Sequence, residues 1–333
     1  MLTNNKNTIT HNSSMYTLLV LLLVYCQTVH TKDLYTLGAS SSSTSDNIDL
    51  DKIKFSYINN QREHFWPYLK SADSEYDWGV NLNYYDGQAN GTEFTGQHIE
   101  GVFGFQFSEI SYVGGSIGLH NMDVPDLNSQ KDRGTYDIYA QLGLTSNFTL
   151  LFNIADNYVY QYGLQPAGTR EFLNAEMRTA GFQWKPINTI RISGASSAWD
   201  LSDANTKKET KASILYGISP GWPWIWIGVS YEKLKYEMAK ADYWTPENFR
   251  SVGLVFESSF PISENFTGAL AATATNVKED NNPKGNGNSL SVGLDYKLTK
   301  AHTLRLGFNR IVSQQEKSEW TEKTYSLSVN GSF

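Results

Sequence analysis

The sequence predicts an all-β fold: a transmembrane antiparallel up-and-down β-barrel of about fourteen strands, with both chain ends at the periplasmic rim. Three observations predict it. The last ten residues, Thr324 to Phe333 (TYSLSVNGSF), alternate strictly, with Tyr325, Leu327, Val329, Gly331 and Phe333 on one face of an extended strand and polar residues on the other. Connections between amphipathic segments alternate long and short, the pattern of a barrel with loops at one rim and tight turns at the other. The composition has 20 Tyr, 16 Phe, 9 Trp and 26 Gly against 18% charged residues. A mean hydropathy of -0.42 excludes a helical membrane bundle, whereas a barrel averages to mildly polar because each strand turns only half its residues to lipid.

The elements follow in order. Tyr16 to Tyr25 (YTLLVLLLVY) is an apolar run too short to span as a helix and placed where the core of a secretory leader belongs, so residues 1–28 are expected to form a signal peptide. Cys26, the single cysteine, follows Tyr25 where lipidation wants a small residue; cleavage beyond it leaves the mature chain without a thiol. Residues 29–77 read as a periplasmic N-terminal segment. Its Ser-rich tract, Gly38 to Asp51 (GASSSSTSDNIDLD), has the composition of a flexible lead-in.

The barrel is expected over residues 78–333. Fourteen segments, from Trp78–Tyr85 to Thr324–Phe333, show period-two alternation. Among the long connections between them are Asp86–Gln97, Asn121–Arg133, Lys278–Asn288 and Gln314–Lys323. Lys52 to Lys70 alternates weakly and leaves room for one more pair, which would make sixteen strands. Glu171 to Trp184 departs from clean parity, implying a bulge or a displaced boundary.

Parity separates the two faces. In SLSVGLDYK, Leu290, Val292, Leu294 and Tyr296 face out and Asp295 faces in; in TLRLGFNR, Leu304, Leu306 and Phe308 face out and Arg305 and Asn309 face in. The same rule turns Glu100, Gln106, Asp137, Tyr139, Gln141, Asn153, Arg191 and Glu257 toward the lumen. A charge on the lipid face would cost roughly 2–4 kcal/mol at mid-bilayer, whereas a water-filled interior tolerates it. These residues read first as groups that solvate or pair inside the barrel and second as substrate contacts. Trp222, Trp224 and Trp226 flank Pro223 at a turn and read as an interfacial aromatic girdle.

Two segments carry family resemblances. The terminal strand resembles the closing strand that outer-membrane barrels present to the barrel-assembly machinery, which implies that machinery as a partner and Tyr325 and Phe333 as the assembly signal. The segment Tyr231 to Phe260 (YEKLKYEMAKADYWTPENFRSVGLVFESSF) contains Tyr243, Trp244, Thr245, Pro246 and Phe249, followed by Gly253 and Leu254. It resembles a passage in the C-terminal barrels of exopolysaccharide export porins, those for cellulose and poly-N-acetylglucosamine. The resemblance implies a polysaccharide as cargo, with Tyr243, Trp244, Thr245, Pro246 and Phe249 as an exit loop. Such porins carry a tetratricopeptide region ahead of the barrel, which is not expected here, so a separate periplasmic scaffold protein is implied.

Other chemistries find little support. His64, His98, His120 and His302 are scattered and suggest no triad or metal site, and no phosphate-binding glycine loop is present. A net charge of -7 without a basic cluster disfavours nucleic acid. The expectation is a protein of the bacterial outer membrane, surrounded by its lipids and lipopolysaccharide, without cofactor or enzymatic activity. It would pass a hydrophilic polymer, with two alternatives: a general porin for small solutes, or a plugged barrel acting through its extracellular loops.

Overall fold

The computed structural model describes residues 33–45, 47–59, 64–65, 68–69, 76–89, 91–125, 129–159, 173–240, 243–315 and 318–332. The expected leader, Cys26 and Phe333 lie outside the described residues.

The first two strands are β1 (Leu34–Thr44) and β2 (Ile48–Asn59), after which β3 (His64–Phe65) and β4 (Tyr68–Leu69) make a small pair of their own. The chain then runs through β5 (Tyr76–Ala89), β6 (Thr92–Ser108), β7 (Ser111–Val124), β8 (Ser129–Thr145), β9 (Phe148–Tyr158) and β10 (Asn174–Ile187). It continues through β11 (Ile190–Leu201), β12 (Thr206–Ser219), β13 (Trp224–Tyr236), β14 (Phe249–Pro261), β15 (Phe266–Glu279), β16 (Gly285–Lys297), β17 (His302–Gln315) and β18 (Ser318–Ser332). All but β3 and β4 form one closed sheet of sixteen antiparallel strands, in which β1 lies between β2 and β18. Leu34 sits opposite Ser332 and Thr44 opposite Glu322, so both ends of the sheet share what we term the proximal rim. Closure leaves no open edge, and every strand finds backbone partners on both sides.

The barrel therefore begins at Leu34 rather than Trp78, and its sixteen strands are the larger of the two counts that the sequence allowed, with the added pair upstream of most of Lys52–Lys70. The extra pair is β1 and β2, which includes the Ser-rich tract read as a flexible lead-in. Serines here point both ways: Ser40 and Ser42 share the inner face with Ser326 and Thr324, while Ser41 and Ser43 lie opposite Tyr325 and Lys323 on the outer face. With hydroxyls on both faces, the alternation that marks a strand vanishes, yet the backbone ladder is complete.

Several strands also run past the expected boundaries. β5 and β6 leave only residues 90–91 between them, and β17 and β18 only 316–317, where long loops were expected. Beyond the apolar belt both faces are polar, so periodicity ends although pairing continues. The irregular parity near Glu171–Trp184 has both anticipated causes: β10 starts at Asn174, and its register against β11 shifts between Trp184 and Ile187.

The outer face is an apolar belt, on which Ile117, Leu119 and Leu254 are 63%, 71% and 67% exposed. Inside, toward the distal rim, buried apolar residues form two clusters. Ile48, Leu50, Tyr85, Phe94 and Met122 belong to one; Trp199, Leu201, Leu234, Tyr236, Phe249 and Val277 belong to the other. An apolar exterior of this kind is what a barrel in lipid requires.

Candidate functional site: the lumen and its distal mouth

The pleat and the register decide what faces the lumen. Directly opposed residues of antiparallel neighbours share a face. Following the pairs from Glu257 leads to Ala271, Ser291, Asn309, Thr324 and Ser42, one inner row across six strands. Extended around the sheet, the same rule places all eleven residues assigned inward by parity on the inner face. From β14 to β1 that wall is built of small polar groups whose hydroxyls bond across strands. Thr273 pairs with Ser289 at 2.8 Å, Ser291 donates to Asn309 at 2.8 Å, and Ser42 pairs with Thr324 at 2.9 Å. A hydroxyl can turn to donate or accept, so such a wall offers both roles to a passing solute.

The ionised inner residues are mostly matched. Arg305 makes a bidentate pair with Asp295, at 2.7 and 2.8 Å, from the next strand. Arg191 on β11 reaches past two strands to Glu257 on β14, and its guanidinium lies 5.2 Å from the centre of the Trp226 ring. Glu100 accepts from Ser116 at 2.8 Å and from Asn81 at 3.3 Å. Asn153 donates to Asp137. Tyr139 has its ring 5.7 Å from that of Tyr112, which is itself opposite Gln141. Gln106 stands apart at the proximal turn, donating to the Ser108 carbonyl at 2.9 Å.

The girdle reading of three tryptophans is corrected in part. Trp226 is 5% exposed and lies opposite Glu257, an inner position, whereas Trp222 at the turn is 59% exposed. Parity alone, counted back from Ser230, would have found Trp226.

The segment expected as an exit loop folds inward over the distal mouth. The Tyr236 N–H donates to the Pro246 carbonyl at 2.9 Å, and the Lys240 N–H donates to Thr245 Oγ1 at 2.8 Å, giving the loop its own frame. Tyr243 donates to Asp203 at 2.9 Å and accepts from Asn205 Nδ2 at 3.0 Å. The Trp244 indole donates to Glu279 at 2.9 Å, and its ring meets Phe249 edge-on at 5.1 Å. Tyr243 and Trp244 thus pack on the second apolar cluster. Phe249, the last residue of that segment, opens β14, where the alternation also starts a strand, and is buried. Tyr325 lies outside the barrel, on the belt beside Phe308.

Asp203 anchors this loop from the β11–β12 turn. Burial acts to raise its carboxyl, but hydrogen bonds from the Asn205 backbone, the Tyr243 hydroxyl and the Lys240 ammonium outweigh burial and hold it below the ordinary value of 3.8.

Beneath the loop is a cavity of about 470 Å³, lined by Trp199, Trp244, Phe249 and Trp320 together with a ladder of charge. Lys207 lies 4.3 Å over the Trp199 ring and 3.2 Å from Glu209; Lys211 bonds Glu209 and lies 3.4 Å from Glu232. The Trp320 side chain is 8% exposed, and its indole N–H has no hydrogen-bond partner among the described residues. A buried donor without a partner is costly unless something fills the role. Parity does not reveal this group for two reasons: Trp320 fell in a supposed loop, and Lys207 lay just beyond a supposed strand end. The spacing Lys207, Glu209, Lys211 was the available signal. Among the described residues no cluster of His, Cys, Asp and Glu is placed to hold a metal ion.

No family model matches the chain, and no curated protein matches it by sequence. Solved structures do match its fold. A structure described as a bacterial polysaccharide outer membrane secretin superimposes with a TM-score of 0.70 at 9% identity, covering 92% of this chain and 99% of that one. CdiB from Acinetobacter baumannii gives 0.51 at 9% identity, covering 90% of this chain and 60% of that one. At such identities the likeness shows the fold alone: this chain has the architecture of outer-membrane β-barrels.

Proposed function

We propose that this barrel is an outer-membrane channel that passes a hydrophilic polymer, an exopolysaccharide, and that it acts by passage rather than by catalysis. The observation that carries the reading is the sequence of environments along the lumen. A hydroxyl wall leads to a cavity where tryptophan faces and paired charges meet, under a loop folded into the mouth. Sugar rings offer apolar faces to stack on aromatics and hydroxyls to bond polar walls, so the combination suits a saccharide chain better than a small ion. In this reading the proximal rim faces the periplasm, the leader 1–28 directs export, and a separate periplasmic scaffold couples the barrel to synthesis.

The test combines conductance with secretion. The purified chain in a planar bilayer should conduct, and replacing Tyr243 and Trp244 together with Ala should raise conductance. In cells the same variant should secrete less polymer at unchanged barrel abundance. If deletion of the gene left surface polysaccharide intact while uptake of small solutes fell, a general porin would replace the export channel.

A further inference from the structure

We propose that the outer surface of β10 to β13, just below the distal rim, binds the phosphorylated headgroup of a glycolipid of the lipid A type. The proposal rests on the outer-membrane reading of the barrel and deepens it.

The register stacks the outer face here in chemically distinct rows. One row, across four strands, is Arg178, Ala198, Lys208 and Lys235. Lys208 and Lys235 are directly opposed, like charges that Glu237 offsets in part by bonding Lys208 at 2.8 Å. The next row toward the belt is Ala180, Ser196, Thr210 and Lys233, adding hydroxyls and one more cation. Below it come Phe182 and Tyr231, then Ile214 and Val229, all exposed on the apolar belt.

Part of this charge is already balanced from the rim side. Arg178 bonds Glu176 at 2.7 Å and lies 3.4 Å from Asp200, and Lys208 bonds Glu237 at 2.8 Å. Lys233 and Lys235 make no ion pair among the described residues. An outward cleft of about 590 Å³ lies among these cations and the hydroxyls of Ser196 and Thr210. Free phosphate would gain nothing from the apolar rows beneath. A lipid whose phosphates meet the lysines, whose sugar hydroxyls meet Ser196 and Thr210, and whose acyl chains lie along Ile214 and Val229 uses every row.

The test uses the full chain, reconstituted in phosphatidylcholine vesicles containing either lipid A or phosphatidylglycerol, then extracted in detergent. Mass spectrometry counts the lipid retained per barrel. Lipid A should be retained several-fold over phosphatidylglycerol, and K233Q with K235Q should lower its retention about tenfold or more, while K233R with K235R should keep it. Equal retention of lipid A by the glutamine variant and the native chain, or equal retention of the two anionic lipids, would overturn the site with the outer-membrane reading intact. Failure of the native chain to insert in either vesicle would overturn both.

Discussion

The Tyr112 hydroxyl on β7 reaches over Gly104 of β6 to donate to the Asp77 carboxylate on β5, 2.9 Å from one oxygen and 3.1 Å from the other. The bond skips a strand, and only the missing side chain of Gly104 makes room for it. A Cβ there would fall 1.7 Å from the tyrosine oxygen and 1.9 Å from Asp77 Oδ1. Gly104→Ala should therefore destabilise the barrel by about 1–3 kcal/mol, read as a lower temperature for the gel-mobility shift on heating. Combining it with Tyr112→Ala should cost less than the sum of the two singles, since the departing ring vacates the space. Strict additivity would contradict the contact.

The inner and outer faces should respond oppositely to charge. Leu306, 45% exposed on the belt, has no partner for a cation, and Leu306→Arg should cost roughly 2–4 kcal/mol at mid-bilayer depth. Asn309→Arg enters a wall of Ser and Gly and should fold normally while altering conductance. Folded fractions after insertion into vesicles decide the matter; equal tolerance would mean that the faces are misassigned.

Trp244→Phe keeps a ring beside Phe249 but removes the N–H that bonds Glu279. The mouth loop then loses a tether without losing its packing. Open-channel current noise should rise with little change in mean conductance, whereas an unchanged noise spectrum would show that the tether does not restrain the loop.

The Asp203 anchor sets a pH dependence. Its carboxyl is held below its ordinary value in the folded state, so its contribution is fully present above the ordinary aspartate range and is lost as pH falls through the lowered value. Loop noise should stay flat from about pH 7 to about pH 5 and increase only below about pH 4. Asp203→Asn should remove the acid response, since an amide oxygen still accepts from Tyr243 but does not titrate. An increase in noise already near pH 6 would assign the effect to another group.

Inner positions such as Asp295, Arg305 and Glu257 were legible from sequence because parity is a property of the pleat and needs no tertiary information. β1 was not, because Ser41 and Ser43 face outward and erase the contrast that defines a strand. Trp320 escaped for a related reason: β18 continues past the belt, where Glu319, Thr321 and Lys323 on one face are no more apolar than Glu322 on the other. The inward fold of the Tyr243–Pro246 loop lay beyond any periodicity. It depends on Asp203 and Asn205 of the β11–β12 turn and on Glu279 at the end of β15, which the closed sheet brings together.

The pairing of β1 with β18 joins residues such as Thr36 and Asn330 that stand 294 positions apart. Until both strands have been made, the sheet cannot close. Closing so long a span adds entropy cost only logarithmically with length, but it can happen only at the end. The serine-lined seam is thus the molecule's latch, and removing residues 33–45 would not yield a fifteen-strand tube. It would leave the exposed margins of β2 and β18 free to capture whatever strand came next, including those of another copy.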